Sequence, residues 1–412
     1  MPSVQLPQYE NSYWISSSTD PGYAALNKDL TVDAVVVGAG IAGLSTAYFL
    51  KQAGLKVAVL ERHAIGARVT GHTTGKVTSQ HNICYSRLVR TVGFDRARLY
   101  GEANQRAIEE MERIITAEHI NCDWQRDDAY VFTTKPGEVG KLQAEAETAK
   151  SLGLPSSFVK KTGLPFKVEG AVRFANQAKF HAREYLLGLA KAIQGNGSHI
   201  FENTRALTVQ DGKPCVVPTV HGTVKAQHVV IATNVPFPLL SHLYYAAYEY
   251  PMKSYIVAAK VASSKIVQGM YITPSSPLRS VLPFTAGGQH WLLIGGESHF
   301  PGLGNPRARH QRLADYAAKR FGVTTITHRW STWDYLSNDQ IPLVGKLHPW
   351  SQHVYTATGF MKWGLSTGTI AGMLLRDAIM SQPNPWAEVF RTDRLSPVLS
   401  LPGAIARIVR TI

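Results

Sequence analysis

Residues 32–62 carry two short apolar runs separated by a segment in which apolar residues recur at helical spacing. The first run, residues 34–37, predicts a buried strand of a parallel sheet, and residues 57–60 predict a second one. The intervening segment predicts a helix that follows Gly38 and ends at Gly54. Because the whole unit is about 30 residues long, the pattern predicts a βαβ unit at this point of the chain.

The spacing of apolar residues also predicts helices and strands along the rest of the chain. Amphipathic segments predict helices, and Gly153 closes one of them. Alternating or continuous apolar stretches predict strands. The predicted helices span residues 95–119, 136–152 and 366–380, and the predicted strands span residues 229–234, 254–261, 291–295 and 354–359.

Gly38, Gly40 and Gly43 form a GxGxxG sequence at the turn from the first strand into its helix. The first glycine permits the tight turn, the second lets backbone approach a pyrophosphate, and the third lets the helix pack against the strand. The free N–H groups and the dipole of the helix N-terminus favour phosphate. Glu61, at the end of the second strand, is placed to accept hydrogen bonds from an adenosine ribose. The sequence therefore predicts a dinucleotide site, and this fingerprint alone does not separate FAD from NAD.

The amino-acid composition indicates a broad class of protein and gives the chain's net charge. The chain has 412 residues, of which 44% are hydrophobic and 17% are charged, so a globular protein is expected rather than a disordered one. Lys plus Arg number 43 and Asp plus Glu number 29, which leaves a formal net charge of +14. That surplus fits a phosphorylated cofactor, an acidic substrate, nucleic acid, an acidic membrane surface or simply a basic surface, and it does not choose among them.

The three cysteines, Cys84, Cys122 and Cys215, form no CxxC pair, so no metal site is predicted. A sparse, odd set of cysteines is typical of a reducing compartment, and we therefore expect a cytoplasmic location. The apolar stretches are broken well before 18 residues, and no membrane-spanning helix is predicted. The N-terminus has no basic segment followed by an apolar run, so no signal peptide is expected.

Residues 61–81 form a loop rich in Gly, Thr and Ser, where a plain NAD dehydrogenase would continue into another βα unit. With GAGIAGLSTAYFL, VAVLER and TGHTTGKVTSQH, the chain resembles the FAD-dependent oxidoreductases of the D-amino acid oxidase and glycine oxidase superfamily. Within this superfamily, the chain most resembles a bacterial subgroup that often carries a C-terminal Rieske iron–sulfur domain. It is also similar to gamma-glutamylputrescine oxidase-like enzymes. Residues 174–190, 229–236, 329–345 and 357–375 also carry the resemblance.

The resemblance implies an α/β fold. A Rossmann-like FAD-binding domain of the GR2 type would be interleaved with an α+β substrate domain built on a mixed or antiparallel sheet. The FAD-binding domain is expected to comprise residues 1–92, 170–238 and 325–412, and the substrate-binding domain residues 93–169 and 239–324. No paired Cys and His ligands of a Rieske centre follow residue 397, so a built-in one-electron relay is not expected and the subgroup's electron acceptor is not carried over.

The resemblance also implies FAD as the cofactor, bound non-covalently. Residues 359–364, GFMKWG, lead into the last predicted helix, whose N-terminus is expected to face the flavin N1/C2=O edge and to stabilise its negative charge. Ala206 and Leu207 are placed near the adenine by analogy alone. The residues expected to bind FAD are Gly38, Gly40, Ile41, Ala42, Gly43, Glu61, Arg62, Thr73, Thr74, Lys76, Val77, Ala206, Leu207, Ala232, Thr233, Gly359, Phe360, Lys362, Trp363 and Gly364.

The substrate class that the resemblance implies is a small amine or amino acid, oxidised at a C–N bond by hydride transfer to flavin N5. Oxygen or a redox protein would then accept the electrons. The candidate catalytic residues are Tyr255, Arg279, Lys362 and His81. Arg279 would hold a carboxylate in bidentate fashion, and simple packing is the alternative role of His81. Lys76, Lys253 and Lys362 are candidates for oxygen activation, and the sequence selects none of them.

Two other functions stay open at this point. The charge allows a flavin enzyme acting on an amine of a modified nucleic acid, although the chain has no basic run with interleaved aromatic residues, which argues against nucleic acid as a partner. A flavoprotein that passes electrons to a separate iron–sulfur protein is the other.

The tail, residues 401–412, either packs on the body or makes peripheral contact with a membrane surface. Trp330, Trp333 and Asp334, which match the family's W-x-x-x-D run, either shape the pocket or pack between the domains.

Overall fold

A computed structural model describes residues 4–409 of the chain. Helices and strands are mixed along it, as expected for a protein that contains both α-helices and β-sheets. The helices are α1 Tyr13–Ser16, α2 Ile41–Gln52, α3 Tyr85–Val92, α4 Phe94–Ala117, α5 Val139–Ser151, α6 Ala182–Ile193, α7 Leu239–Tyr245, α8 Pro306–Phe321, α9 Gly364–Ile379, α10 Ala387–Phe390, α11 Ser396–Leu399 and α12 Leu401–Val409. The strands are β1 Leu30–Val37, β2 Val57–Leu60, β3 Lys76–Val77, β4 Gln125–Thr133, β5 Ser156–Val159, β6 Gly170–Lys179, β7 His199–Phe201, β8 Cys215–Pro218, β9 Thr223–Ile231, β10 Glu249–Val261, β11 Met270–Ile272, β12 Arg279–Ala286, β13 Gln289–His299, β14 His328–Ser337, β15 Leu343–Lys346 and β16 Val354–Thr358.

The first sheet is built around the βαβ unit that the apolar pattern predicts. Its strand order is β15-β16-β9-β1-β2-β7, with β8 paired to β9. β1 runs parallel to both β2 and β9. Ala34 and Val36 pack with α2 in one core, whereas Val35 and Val37 pack in a second core with β8. Because β1 is buried on both faces, its sequence is almost continuously apolar.

The second sheet is mostly antiparallel, with the order β14-β10-β13-β12-β11-β4-β6-β3 and with β5 paired to β6. Side chains alternate between its two faces. Ile256 and Ala258 of β10 lie in the core shared with the first sheet's helices. Tyr255 and Val257 lie in a separate core that packs against α8. In this part of β10, even-numbered residues therefore contact the core beneath the first sheet's helices, and odd-numbered residues contact the core beside α8.

The predicted elements are confirmed, with ends that move by a few residues. The helix predicted over residues 95–119 is α4, and Gly153 has a φ of +84° just after α5. The strands β3, β6 and β14 hydrogen-bond into the second sheet, although the segments that contain them were assigned to the FAD-binding domain. Strand sequences indicate burial but not the pairing partner, because the partners lie far away in sequence. The division into two domains stays a prediction.

The last described helix, α12, packs on the second sheet. Ala404 is buried against Tyr250 and Met252 of β10, and the Arg407 guanidinium donates to the carbonyl oxygen of Asn338 at 2.5 Å. Residues 410–412 lie outside the described part of the chain, so the prediction for the tail is addressed only as far as Val409. No helix among residues 4–409 is long and apolar enough to cross a membrane.

Candidate active site

One large cavity, of about 800 Å³, lies between the first sheet's C-terminal edge and the inner face of the second sheet. Its wall begins at the glycine fingerprint after β1 and includes the ends of β2 and β9. It then passes the loop before β3 and reaches strands β10, β13 and β14, where the turn before α9 closes it. Crevices at the carboxyl ends of parallel strands are the usual ligand sites of open α/β sheets, and this volume is typical of cofactor sites.

The first and third glycines of the fingerprint, Gly38 and Gly43, are packed too closely for any side chain. Gly38 has a φ of +107°, and a Cβ there would lie 2.6 Å from the carbonyl oxygen of Ala232. A Cβ on Gly43 would lie 1.9 Å from the carbonyl oxygen of Gly38. The helix N-terminus is thereby held against the strand, and the Ile41 N–H donates to the Thr70 hydroxyl at 3.1 Å.

Glu61 closes the same end of the cavity. One carboxylate oxygen accepts the N–H of Ala39 at 2.8 Å, and the other accepts the N–H of His63 at 2.8 Å. These two backbone donors fix an acidic side chain beside the fingerprint, at the position where a ribose hydroxyl would be recognised.

Most of the residues expected to bind FAD border this cavity: Gly38, Gly40, Ile41, Ala42, Glu61, Arg62, Thr73, Thr74, Lys76, Ala206, Leu207, Ala232, Thr233, Phe360, Lys362, Trp363 and Gly364. Three of them lie behind its wall. Gly43 supports Gly38, Val77 is buried where β3 pairs with Ala178, and Gly359 begins the turn before α9 with a φ of +69°.

Lys76 is the first residue of β3, and its side chain reaches the cavity. Its amino group donates to the carbonyl oxygen of Tyr271 at 2.6 Å and to the Ser280 hydroxyl at 2.7 Å. Burial lowers the pKa of Lys76 to about 7, and both of these hydrogen-bond partners are neutral. On the wall formed by β11 and β12, this amino group therefore has only uncharged hydrogen-bond partners among the described residues.

Lys362 enters from the turn before α9. Its backbone N–H donates to a carboxylate oxygen of Asp334 at 2.5 Å, and its ammonium donates to the Ser298 hydroxyl at 2.6 Å. The side chain has accessible surface because it faces the cavity, while the surrounding protein lowers the pKa of Lys362 to about 8 against the opposing effect of Asp334. Burial raises the pKa of Asp334 to about 6.

His81 belongs to a buried polar network beneath α9. Its Nε2 lies 2.9 Å from the carbonyl oxygen of Thr78, which can only accept, so Nε2 carries the proton and Nδ1 accepts from the Tyr100 hydroxyl at 2.6 Å. Burial lowers the pKa of His81 to about 3. The ring stacks on Trp363 at 4.9 Å between centroids. His81 is therefore a neutral support for the Trp363 ring on the cavity wall.

Tyr255 and Arg279 have their functional groups on the α8 side of the second sheet. In the strand register both residues pair with Gly296, so they share a face. Tyr255 borders the cavity, but its hydroxyl lies 2.9 Å from Nε2 of His299. Arg279 is outside the cavity wall, and its guanidinium donates to Glu297 at 2.6 Å. The functional groups of both residues are therefore engaged on the α8 side of the sheet, whereas Lys76 and Lys362 border the cavity.

Three residues that face the cavity from the second sheet are not among the sequence-based candidates: Ser254, Ser298 and Thr332. Asp334, for which the sequence offers a role in shaping the pocket or in packing, borders the cavity with them. Ser254 immediately precedes Tyr255 in β10, so the sequence predicts the strand but does not show which of its two faces lines the cavity. Only the cross-strand register places Ser254 beside Thr332, and that register is not encoded in either segment alone. Arg87 of α3 also borders the cavity and donates to the carbonyl oxygens of Asp339 and Gln340.

The residues present fit FAD. The glycine fingerprint and the N-terminus of α2 form a cradle that a Cβ would fill, and Glu61 stands at the ribose position. Thr73, Thr74 and Lys76 continue the wall towards the turn before α9, so the cavity is long enough to extend beyond a single nucleotide. A dinucleotide fold whose crevice opens onto a second, mostly antiparallel sheet is the arrangement expected of a flavin oxidoreductase.

The comparison with known proteins agrees with this class. The family model for FAD dependent oxidoreductase, DAO, matches residues 33–378. A relative in Bacillus subtilis (strain 168), named putative Rieske 2Fe-2S iron-sulfur protein YhfW, is 33% identical over 93% of this chain and 75% of its own length. The chain therefore belongs to the DAO family of FAD-dependent oxidoreductases.

Two further similarities describe where the chain stands in the family. It is 24% identical to the gamma-glutamylputrescine oxidoreductase of Escherichia coli (strain K12), over 97% of this chain and 94% of that protein. It shares its fold with the crystal structure of glycine oxidase from Geobacillus kaustophilus, with a TM-score of 0.74 and 20% identity over 89% of this chain and 99% of that one. The predicted family and fold class are confirmed.

Proposed function

We propose that this FAD-dependent oxidoreductase oxidises a C–N bond of a small amine or amino acid. The proposal is supported by two relatives, whose names state an oxidoreductase of gamma-glutamylputrescine and an oxidase of glycine. The observation that carries it is the continuous cavity of about 800 Å³, which joins the dinucleotide fingerprint to a polar wall on the second sheet. A small substrate placed against that wall would lie next to the inner end of the cofactor.

FAD, when bound, supplies a two-electron acceptor for the carbon–nitrogen bond. The chain's own residues then have to hold the substrate and exclude water. Ile256, Leu336 and Trp363 provide apolar surface around the inner end of the cavity, while Lys76 and Lys362 provide donors. His81 is held neutral and engaged through both ring nitrogens, so it acts through Trp363 rather than as an acid or base.

We also propose that FAD is held without a covalent bond. His81 and Cys84 are the side chains near the inner end that have the chemistry to form one. Both nitrogens of His81 have protein partners, and burial raises the pKa of the Cys84 thiol far above its ordinary range. Acid precipitation should therefore release all of the FAD into the supernatant; flavin that stays with the pellet would contradict this.

Anaerobic flavin bleaching tests the proposed reaction. The purified yellow protein is mixed with a panel of amines and amino acids without oxygen, while flavin absorbance is followed. Reduction by one class of compound, with release of the corresponding aldehyde, keto acid or ammonia, is the expected result. Admitting air then shows whether oxygen accepts the electrons. A flavin-loaded protein that none of these compounds reduces would refute the proposal.

A further inference from the structure

Three hydroxyl side chains and one ammonium lie next to one another on the cavity wall. We call Lys362, Ser298, Ser254 and Thr332 the hydroxyl row. The Lys362 ammonium donates to the Ser298 hydroxyl at 2.6 Å, and the Ser298 and Ser254 oxygens lie 3.0 Å apart. Thr332 is the direct cross-strand partner of Ser254 in the β10–β14 register, and all four residues border the cavity.

The ammonium end of this row fixes one hydrogen bond. An ammonium has no lone pair, so Ser298 must accept from Lys362. Either hydroxyl can donate in the hydrogen bond between Ser298 and Ser254, and that bond uses one of their two protons. The other hydroxyl proton of this pair has no acceptor among the described residues, and it lies on Ser254 when Ser298 is the donor.

Thr332 supplies a second donor of the same kind. Its hydroxyl oxygen is buried and has no hydrogen-bond partner among the described residues. Buried hydroxyls without a partner are uncommon, because an unpaired buried hydroxyl has lost its hydrogen bonds to water and gained none from the protein. Directly opposed side chains in an antiparallel pair have Cβ atoms about 4.5–5.5 Å apart, so one ligand group can meet both Thr332 and Ser254.

Asp334 borders the same cavity, and both of its carboxylate oxygens are already engaged. One accepts the N–H of Tyr335 at 2.9 Å, and the other accepts the N–H of Lys362 at 2.5 Å. It thereby holds the turn at Lys362, whose φ is +69°, and leaves the ammonium side of the row as a set of donors.

We propose that the hydroxyl row is a carboxylate subsite, in which Ser254 and Thr332 donate to the two oxygens of a substrate carboxylate and Lys362 supplies the compensating charge through Ser298. A carboxylate offers two acceptor oxygens and a negative charge, which match two free donors and a nearby cation. The inference rests on the proposed function and narrows its substrate to an amino acid in preference to a simple amine.

The test uses the FAD-loaded protein and a panel of probes, acetate, glycolate and benzoate with their uncharged amides, and follows the flavin difference spectrum. The wild type should bind at least one carboxylate ten times or more tightly than the matching amide. Thr332→Val, which keeps the shape and removes the hydroxyl, should weaken that carboxylate roughly ten- to hundredfold, because a hydrogen bond to a charged group contributes about 1.5–3 kcal/mol. Thr332→Ser should restore binding.

The matched control is Ser331→Ala. Ser331 is the adjacent residue of β14 on the opposite face, where its hydroxyl donates to Glu10 at 2.8 Å, so carboxylate binding should not change. Three results would overturn the subsite: a wild type that does not distinguish any carboxylate from its amide, a Thr332→Val variant that binds like wild type, or a parallel loss of FAD affinity, which would assign the row to the cofactor. A protein that binds carboxylates but is reduced by no amine or amino acid would instead refute the proposed function.

Discussion

At the scale of single residues, one position along a strand decides whether a side chain can reach the cavity. Arg279 is a sequence-based candidate because a guanidinium can hold a carboxylate, and Tyr255 is one because the family resemblance places its strand near the flavin. Both point their functional groups towards α8. Their neighbours Ser254 and Ser280 border the cavity. β10 is buried on both faces over most of its length, so the sequence offers no polar side to mark its orientation. The strand was therefore predictable, and its inward face was not.

Arg279→Met is expected to destabilise the protein and to leave ligand binding unchanged. The guanidinium and Glu297 are both buried, and without Arg279 the carboxylate keeps only its contacts with Arg309 and Arg312. Weakening a buried charged group in this way costs roughly 1–3 kcal/mol. Urea unfolding measures the loss, with the exposed Arg307→Met of α8 as the control. Normal stability combined with weaker carboxylate binding would place Arg279 in the substrate site instead.

Lys76 gives the stability of the protein a specific dependence on pH. Because its pKa is lowered from 10.5 to about 7 on folding, the unfolded chain holds a proton that the folded chain has lost between these values. The free energy of unfolding should therefore rise with pH between about 7 and 10, and this contribution should be lost as pH falls through 7. In Lys76→Met that rise is absent, so the stability of the variant relative to wild type should decrease from pH 7 to pH 10.

Urea unfolding at pH 7, 8.5 and 10 measures this difference. The two hydrogen bonds that Lys76 makes to Tyr271 and Ser280 are lost in the variant at every pH. Their loss lowers the free energy of unfolding by a similar amount at each pH, and it does not change how that free energy depends on pH. Lys150→Met, on the exposed end of α5, serves as the control. Parallel pH profiles for wild type and Lys76→Met would show that the lysine is not held in a desolvated position.

At the scale of elements, the sequence predicts best where local chemistry and long-range packing require the same residue. Gly38 and Gly43 are needed both for the turn and for the approach of α2 to β1, and the βαβ unit was read correctly from them. The strands β6 and β14 illustrate the opposite case. Each is a clear strand by pattern, but its sheet is chosen by partners far away in sequence, such as Tyr255 opposite Ser331.

The crossing of α2 and α9 is a packing contact that links the two ends of the cavity. A Cβ on Gly372 of α9 would lie 2.8 Å from backbone atoms of Ser45 and Thr46 in α2. Gly372→Ala should therefore push the helices apart, with a cost of about 1–3 kcal/mol and weaker FAD binding, because both helix N-termini border the cavity. Thermal unfolding and FAD titration measure the two effects.

Gly140→Ala is the matched control for that substitution. Gly140 is also helical, but a Cβ there meets nothing within 4 Å, so alanine should stabilise α5 by roughly 0.5–1 kcal/mol. FAD affinity should be unaffected. If Gly372→Ala behaved like Gly140→Ala, the close contact between α2 and α9 would not be a determinant of cofactor binding.

At the scale of the whole molecule, the cavity has walls from both sheets, and this makes the cofactor a structural link between them. Glu61 and Ala206 stand at one end and Lys362 at the other, on elements far apart in sequence. FAD that binds only the folded chain should raise the free energy of unfolding by about 2.7 kcal/mol at a hundred times its dissociation constant. Flavin fluorescence and tryptophan fluorescence should then report one common unfolding transition.

FMN provides the control for this last expectation, because it lacks the adenylate half that the fingerprint end of the cavity would hold. At equal concentration FMN should stabilise the chain less than FAD does, since it leaves the wall around Glu61 and Ala206 without contacts. Separate transitions for flavin release and tryptophan exposure would mean that the two sheets unfold independently. Equal stabilisation by FMN and FAD would mean that the glycine fingerprint of this chain does not contribute to binding.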